Sequence, residues 1–567
     1  MQRWLYAACS LVLMGCQSTP VEVLTLSPLT AESGGELAGS QASVEFVKAD
    51  LSWQIFPAKK ALAAEAELSF VSLGRLQEMQ LDLDPRFHIE KIQFNGHNLA
   101  SNKWSNPQGK LNIQLPAVTP NGVPFKLTIV YSGKPHTAKH APWDGGFVWS
   151  QTSEGLPWIA TAVQGEGCDL FWPCIDHPMG EPEDVTMNIK VPDTLVAVAN
   201  GRLTNVTQEP GWLTYHWQTK HPNTYAIALN IGPYEKLEAP FHSRYGNEYP
   251  MQFWYLRGEE TQARELFKEF PQQLSFFEDM IGPYPFSSEK MAAVHTPHKG
   301  MEHQTINAYG NDFAKSKYGY DDLLQHELAH EWFGNQLTNK DWDDFWLHES
   351  FATYMQPLYA EYLWGDMAYK AQLYEMRLGL RNRVPMVSGS SKFEEEVYRE
   401  ETGPGMDIYI KGALILHTLR EYMGDKRFFS AVRELVYGSD TPHPSMLKPR
   451  YASTQDFVKI VSDTMKRDMS WFFNVYLYQA DLPELKMISQ GNQVQLRWDT
   501  STPFPMPLEV TIDGQLTKLT MDNGSGVLTL KTGQKLKVDP GQKVLRHRQY
   551  IDDYKVWQQQ QKAAKQE

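Results

Sequence analysis

The alternation of apolar and polar positions divides the chain into regions of different period. From about residue 42 to 238, apolar residues alternate with polar ones between turn residues, as in segments 44–47, 126–131 and 224–229. A period of two is typical of half-buried strands. We therefore predict an N-terminal antiparallel β domain over residues 42–238.

The period lengthens after residue 239. Strand-like runs at 250–256 and 290–294 flank a predicted amphipathic helix near 260–280, and helical patterns dominate 366–479. Between them, a helix is expected to begin at Asp321 or Asp322 and to end near Gly334–Asn335, and another to cover about 344–361. Alternation returns over 482–552, which indicates a small C-terminal β-sandwich. The pattern as a whole predicts a multidomain α+β protein, with a central domain over 239–481.

The two ends of the chain differ from these regions in composition. Residues 1–15 combine Arg3 with an apolar run too short to span a bilayer, which is typical of a signal peptide. Residues 16–41 are rich in Ser, Thr, Gly and Pro and predict a flexible tether. Residues 553–567 are polar and predict a loose tail.

Charge and cysteine content exclude some classes of protein. The chain has 53 Lys and Arg against 67 Asp and Glu, a net charge of −14, which argues against a nucleic-acid partner. Of four cysteines, Cys9 and Cys16 lie in or next to the leader. Cys168 and Cys174 remain, either as a disulfide or as two buried thiols, and the low count means that the fold does not depend on a disulfide framework.

One segment predicts metal chemistry. His326 and His330 are four residues apart, so a helix places both imidazoles on one face, and Glu349 lies in the next predicted helix. Two histidines and a carboxylate leave a tetrahedral zinc one open position, as in catalytic rather than structural sites. Glu327 is then placed to act as general base. The alternative is a surface helix with two solvated histidines, which the spacing to Glu349 disfavours.

These residues carry a family resemblance. HELAHEWFGNQLT followed by DFWLHESFATYM resembles the aminopeptidase N and leukotriene hydrolase family of zinc peptidases, whose usual forms are HExxHxWFGN and WLNEGFA. His348 and Ser350 depart from the second form, but Glu349 matches it. The resemblance implies a thermolysin-like zinc catalytic domain with one Zn²⁺ per chain. Many relatives carry a large C-terminal helical domain, which we do not expect here.

Two further motifs extend the resemblance. Segment 163–176 is similar to the family's TQxEA…WFPCxDxP, in which residues matching Gln164 and Glu166 line the substrate pocket. Segment 409–413, YIKGA, resembles YxKGA, whose tyrosine donates a hydrogen bond to the oxyanion, so Tyr409 is expected to do so here.

Gly300-Met301-Glu302-His303 resembles the exopeptidase motif GxMEN, with His303 in place of Asn. An extended peptide can pair with an edge strand at such a segment. Glu302 would then bind the ammonium of residue one, so that the first peptide bond lies over the zinc. Gly300, Met301 and His303 are expected to contact substrate, although the effect of His303 stays open.

Leu13-Met14-Gly15-Cys16 resembles the lipobox of bacterial lipoproteins. This resemblance implies lipidation of Cys16 and an acyl anchor in the cell envelope, and Gln17 favours the outer membrane, facing the periplasm. The alternative is an ordinary signal peptide that happens to contain a cysteine.

Together these features predict an anchored zinc aminopeptidase that acts on peptides with a free N-terminus. The alternatives are another zinc hydrolase on the same scaffold, an endopeptidase or an epoxide hydrolase, or a non-catalytic binding lipoprotein. The preferred N-terminal residue, the physiological substrate and the oligomeric state are left open by the sequence.

Overall fold

The structure, a computed structural model, describes residues 26–399 and 401–564. Its first part is built almost entirely of strands, as the alternating pattern predicts. These are β1 (Val44–Phe56), β2 (Ala61–Ser72), β3 (Leu76–Asp82), β4 (His88–Phe94), β5 (His97–Asn98), β6 (Trp104–Ser105), β7 (Lys110–Thr119), β8 (Pro124–Gly133), β9 (Gly146–Gln151), β10 (Pro157–Ala162), β11 (Asp184–Pro192), β12 (Val196–Val198), β13 (Arg202–Glu209), β14 (Trp212–Lys220) and β15 (Asn230–Gly232).

These strands form three sheets, ordered β13-β14-β11-β1-β2-β8-β4-β5, β12-β15-β10-β9 and β3-β7-β6. Every pair is antiparallel except β1 with β11, so the predicted antiparallel domain contains one parallel pair. Parallel neighbours need a long crossover, and the chain between residues 56 and 184 supplies it. The inward faces bury large side chains such as Trp53, Tyr131 and Trp217.

Segment 224–229 is not a strand, contrary to the prediction from its alternation. Residues Thr224–Ala226 form a 3₁₀ turn, and Tyr225 through Leu229 are all buried. Because both faces of this segment are covered, its sequence carries no reliable strand period. The turn brings Tyr225 to the interface with the next region.

The central region combines a mixed sheet with helices. Its elements are β16 (Tyr234–His242), β17 (Glu248–Leu256), α1 (Glu260–Phe267), α2 (Phe270–Met280), β18 (Met291–His295), β19 (Asn307–Tyr309), α3 (Asp322–Ala329), β20 (Leu337–Asn339), α4 (Trp346–Trp364), α5 (Asp366–Gly379), α6 (Glu394–Tyr398), α7 (Asp407–Met423), α8 (Asp425–Tyr437), β21 (Arg450–Ala452), α9 (Thr454–Met465) and α10 (Ser470–Tyr476). The helix predicted near 260–280 is two helices, α1 and α2, because Pro271 starts a new helix.

The sheet of the central region has the order β16-β17-β18-β19, so β19 is an edge strand. Met301 extends this edge through an antiparallel bridge to Ala308, whose N–H donates to the Met301 carbonyl over 2.9 Å. The segment of Gly300–Glu302 therefore lies where an extended peptide can be added to the sheet.

The last region contains two three-stranded antiparallel sheets, β22-β23-β26 and β25-β24-β27. Its elements are β22 (Glu484–Gln490), β23 (Gln493–Asp499), β24 (Leu508–Ile512), β25 (Gln515–Leu519), β26 (Ser525–Thr529), β27 (Leu536–Val538) and α11 (Gln549–Ala564). The mixed α+β class is confirmed, and these two small sheets occupy the region for which the sequence predicts a sandwich. The expectation of a loose tail is wrong up to Ala564, because α11 is helical. None of the described helices is both long and apolar enough to cross a membrane.

Residues 26–41 are not a free tether where the structure describes them. The Gly34 N–H donates to the Asp176 carbonyl over 3.2 Å, in the first region, and the Gly35 N–H donates to the Lys392 carbonyl over 3.1 Å, in the central region. We call residues 26–41 the strap. Composition alone does not show that backbone groups find partners in two other segments. Residues 1–25, including Cys16, lie outside the described residues.

The strap generates a prediction about stability. Gly34 has φ of +91°, and a Cβ there would overlap the indole ring of Trp342. We expect Gly34→Ala to lower the free energy of unfolding by about 1–3 kcal/mol through overpacking and backbone strain, measured by chemical denaturation. The matched control is Gly39→Ala, because Gly39 has no atom within 4 Å of such a Cβ. Equal stabilities of the two variants would show that the strap is not docked.

Candidate active site

The first two candidate ligands lie at the end of α3. Asp321 caps this helix by accepting a hydrogen bond from the Leu324 N–H over 3.0 Å. The helix ends at Ala329, with His330 as its C-cap, earlier than predicted. The chain then turns, since Gly334 has φ of +144° and the Asn335 N–H donates to the His330 carbonyl over 3.0 Å.

The third ligand, Glu349, lies in the first turn of α4. This helix packs closely on α7: Ser350 donates a hydrogen bond to the Ile408 carbonyl over 2.5 Å, and a Cβ at Gly412 would overlap the Ser350 side chain. The neighbouring His348 is buried and accepts from the Asn339 N–H through Nε2, over 3.0 Å. His348 and Ser350, the two residues that depart from the family pattern, therefore make structural contacts between α4 and its neighbours.

The three side chains meet at one point. The His326 and His330 Nε2 atoms are 3.2 Å apart, and they lie 3.4 and 3.6 Å from Oε2 of Glu349. A tetrahedral zinc with bonds of about 2.0–2.2 Å holds its ligand atoms about 3.3–3.6 Å apart. Among the described residues, this buried oxygen of Glu349 has no hydrogen-bond partner. The site therefore fits zinc in the spacing of its ligand atoms and in the unpaired oxygen of Glu349.

The surroundings of the three side chains favour the protonation states and orientations that bind a metal ion. Burial lowers the pKa of His326 to about 4, which keeps its imidazole neutral. Nδ1 of His330 lies 2.8 Å from the Phe333 carbonyl, and a hydrogen bond donated there leaves Nε2 free to bind the ion. Burial also raises the pKa of Glu349, so its charged form depends on a nearby cation.

Glu327 lines the same cleft and is buried. Burial, with Glu302 and Glu349 close by, raises its pKa well above the ordinary range. Gly300 leaves the room for this carboxylate, because a Cβ at residue 300 would overlap it. A carboxyl group with a raised pKa is suited to accept and return a proton near neutral pH.

Glu302 is held from two sides. Nε2 of Gln164 donates to its Oε1 over 2.5 Å, and the Tyr225 hydroxyl donates to the same atom over 2.9 Å. One carboxylate oxygen each of Glu302 and Glu327 and a ring nitrogen of His330 lie within 4.8 Å of one another. Gln164 thus orients Glu302, and Glu302 lies immediately beside the metal centre.

Glu166 reaches the cleft from the first region. It accepts a hydrogen bond from the Gly145 N–H, and burial raises its pKa to about 7. The loop that follows is closed by a disulfide between Cys168 and Cys174, which answers the question that the sequence left open.

Tyr409 lies on α7 with its ring centroid 6.2 Å from that of His326. Its hydroxyl is 2.9 Å from the Tyr398 hydroxyl. Burial raises the pKa of Tyr409 well above its ordinary value, so the phenol stays neutral and can donate a hydrogen bond.

His303 is not part of the cleft, so its predicted contact with substrate is not seen. The chain turns back at this residue, with the His303 N–H donating to the Met301 carbonyl over 2.9 Å, and the imidazole is fully buried. Burial lowers its pKa to about 3. Met301, in contrast, lines the cleft as expected.

The cleft that collects these groups has a volume of about 780 Å³. Sequence reasoning missed four of the residues that line it or support it: Tyr225, Tyr398, Glu394 and the exposed Trp143. A buried tyrosine or a glutamate at a helix start has no distinctive sequence pattern. Trp143 in the turn-rich stretch PWDGG was the one visible signal, because a large apolar residue is unusual there.

Two family profiles match this chain. The Peptidase M1 N-terminal domain matches residues 47–225, and the Peptidase family M1 domain matches residues 268–476. Together they cover more than half of the sequence. The chain belongs to peptidase family M1. Metallopeptidases of this family use a catalytic zinc ion, for which His326, His330 and Glu349 are the fitting ligands here.

Curated relatives include the endoplasmic reticulum aminopeptidase 1 of Homo sapiens, 27% identical over 55% of this chain and 34% of that protein. The alanine/arginine aminopeptidase of Saccharomyces cerevisiae is 22% identical over 78% of this chain and 52% of its own length. The chain therefore spans between a third and about half of the length of these relatives.

Solved structures match over almost their whole length. One is a mutant M1 zinc metallopeptidase from Deinococcus radiodurans bound to the substrate Tyr-Ser-Ala, with 25% identity and a TM-score of 0.65, covering 80% of this chain and 98% of that one. Another, described as a two-domain M1 zinc metallopeptidase bound to L-tryptophan, is 24% identical with a TM-score of 0.66, covering 80% and 99%.

The geometry of the centre predicts that zinc binding requires His326. We expect His326→Ala to reduce bound zinc from about one to below about 0.1 per chain, because two ligands hold the ion much more weakly than three. The measurement is zinc content after dialysis, by inductively coupled plasma mass spectrometry. Circular dichroism confirms that the variant is folded. The control is His97→Ala, at an exposed position in β5. Full zinc retention by the folded His326→Ala protein would contradict this ligand set.

Proposed function

We propose that this protein is a zinc aminopeptidase that removes the N-terminal residue from peptides. The observation that carries the proposal is the position of Glu302, whose carboxylate oxygen lies within 4.8 Å of a ring nitrogen of the metal ligand His330. A carboxylate so close to the metal centre leaves room for one residue between a bound α-ammonium and the bond that is cleaved.

Each step then falls to a side chain described above. Zinc, when bound, polarises the substrate carbonyl and lowers the pKa of water. Glu327 takes the proton from the attacking water and passes it to the leaving amine. The Tyr409 hydroxyl donates a hydrogen bond to the oxygen on which negative charge develops. Glu302 and Glu166 bind the substrate's α-ammonium, which in turn favours their charged forms.

The same carboxylates disfavour an endopeptidase. An internal peptide bond would place neutral backbone against Glu302 and Glu166 and leave one buried and one partly buried carboxylate without a cation. The cleft of this chain, lined by residues from two regions, fits a short extended peptide, and an M1 relative has been solved with the tripeptide Tyr-Ser-Ala bound.

Aminoacyl arylamides and their N-acetylated forms test the proposal directly. We expect cleavage of the free-amine substrates only, abolished by a chelator and restored by zinc, because acetylation removes the charge that Glu302 and Glu166 bind. Glu327→Gln should lower kcat by at least about 100-fold with zinc content unchanged, since the amide cannot accept the proton. Equal cleavage of acetylated and free substrates would exclude the amine-binding role. Near-normal turnover by zinc-loaded Glu327→Gln would exclude the base.

We also propose that Cys16 carries an acyl anchor and holds the enzyme at the periplasmic face of the outer membrane. The support is the sequence Leu13-Met14-Gly15-Cys16 and the residue Gln17 after it. We expect labelling by a palmitate analogue and recovery in the outer-membrane fraction, and loss of both in Cys16→Ser. An unlabelled mature protein cleaved at another bond would contradict the anchor.

A further inference from the structure

Two of the carboxylates in the cleft have no role in the proposed reaction. Six carboxylates and a single lysine, Lys299, line it. The carboxylates are those of Glu166, Glu302, Glu327, Glu349, Glu394 and Glu395. Four of them bind metal, transfer the proton or bind the α-ammonium in the proposed aminopeptidase. Glu394 and Glu395, at the start of α6, have no part in that chemistry.

The two neighbours differ in their surroundings. Glu395 is exposed and forms an ion pair with Arg399 over 3.0 Å, so its charge is already balanced. Glu394 is only 4% exposed. Among the described residues, no side chain or backbone group donates a hydrogen bond to its carboxylate or forms an ion pair with it. A carboxylate that is buried without a partner at the wall of an open cleft is positioned to bind a cation from outside.

The backbone of Glu394 is fixed from two directions. Its N–H donates to the Ser33 carbonyl of the strap over 3.0 Å. The preceding Phe393 N–H donates to the Glu396 carboxylate over 3.0 Å, which anchors the first turn of α6. The Glu394 side chain therefore starts from a rigid position, as a group that selects substrates requires.

Glu394 lies beside the predicted α-ammonium site. A Cβ added to Gly165 would stand 3.6 Å from Oε2 of Glu394, and Gly165 lies between Gln164 and Glu166. The side chain of residue one leaves the same carbon atom as the α-ammonium. Glu394 consequently borders the space into which that side chain must extend.

The remaining wall suits a long side chain with a charged end. Trp143 and Met406 line the cleft and are 74% and 57% exposed. Methylene groups of lysine or arginine can pack on such apolar surfaces while the cationic end reaches a carboxylate. Burial and the nearby Glu166 and Glu302 raise the pKa of Glu394 well above its ordinary range, and a bound cation would offset that cost.

We propose that Glu394 is a specificity-determining residue that binds the cationic side chain of an N-terminal arginine or lysine. This inference rests on the proposed aminopeptidase function. A guanidinium would bind the carboxylate through paired hydrogen bonds, whereas an apolar side chain would leave Glu394 buried without a partner.

The test compares arginyl, lysyl and leucyl arylamides in the zinc-loaded wild type, Glu394→Gln and Glu395→Gln. We expect wild-type kcat/KM to favour arginine over leucine. Glu394→Gln should lower kcat/KM for arginine by about 10- to 100-fold, as for the loss of a charge-assisted hydrogen bond, and change it for leucine by less than about threefold. Glu395→Gln is the matched control and should change neither.

The neutral isostere citrullyl arylamide gives a second test that does not depend on how the variants fold. Wild-type enzyme should cleave the arginyl substrate at least about 10-fold better than the citrullyl one, because the two differ in charge and little in shape. Equal cleavage of the two overturns the inference.

Two other outcomes would also overturn it. A parallel fall in kcat/KM for the arginyl and leucyl substrates in Glu394→Gln would place the residue at the α-ammonium instead. Unchanged kcat/KM for both substrates would remove it from recognition. Failure of the proposed aminopeptidase function would be distinguishable from failure of this inference. In that case the wild type would cleave none of the free-amine substrates, including the leucyl arylamide.

Discussion

The rest of this structure depends on a cluster of buried carboxylates whose charged forms are stabilised by cations. Glu302, Glu327 and Glu349 lie close to the candidate metal ligands His326 and His330, and burial raises the pKa of all three carboxyl groups. Such a cluster is costly in an apolar interior unless positive charge enters it. Zinc fits the spacing of the candidate ligands, and the α-ammonium of a peptide is the second cation in the proposed function. The same electrostatic need would therefore account for metal binding and for the proposed preference for a free N-terminus.

Holding these groups apart and in place requires contributions from distant parts of the chain. The first β region supplies Gln164 and Tyr225, which fix Glu302 by hydrogen bonds, and it supplies Glu166, which also lines the cleft. Glycines at 300 and 412 allow two close approaches, one of the sheet edge to Glu327 and one of α7 to α4. The strap contacts both the first β region and the central region beside the cleft. A segment of simple composition therefore has a structural role.

The sequence predicted the arrangement of the candidate ligands where local spacing determines it. Two histidines four apart on one helix must point the same way, and the capping Asp321 marks where that helix starts. Prediction failed where both faces of a segment are covered, as at 224–229, and where a backbone finds partners far away, as in the strap. It also failed for His303, because a turn at that residue carries the ring into the interior rather than into the cleft.

The sequence by itself determined the α+β class, the candidate metal ligands His326, His330 and Glu349, and the position of Glu327 beside the first of them. These depend on residue type, helical period and short spacing, all of which are local. Only the tertiary structure decided that Gln164 supports Glu302, that Cys168 and Cys174 are joined, and that Glu394 faces the cleft without a partner. Those facts arise from contacts between segments that are distant in the chain, and no local pattern of residues encodes which side chains such contacts will leave unpaired.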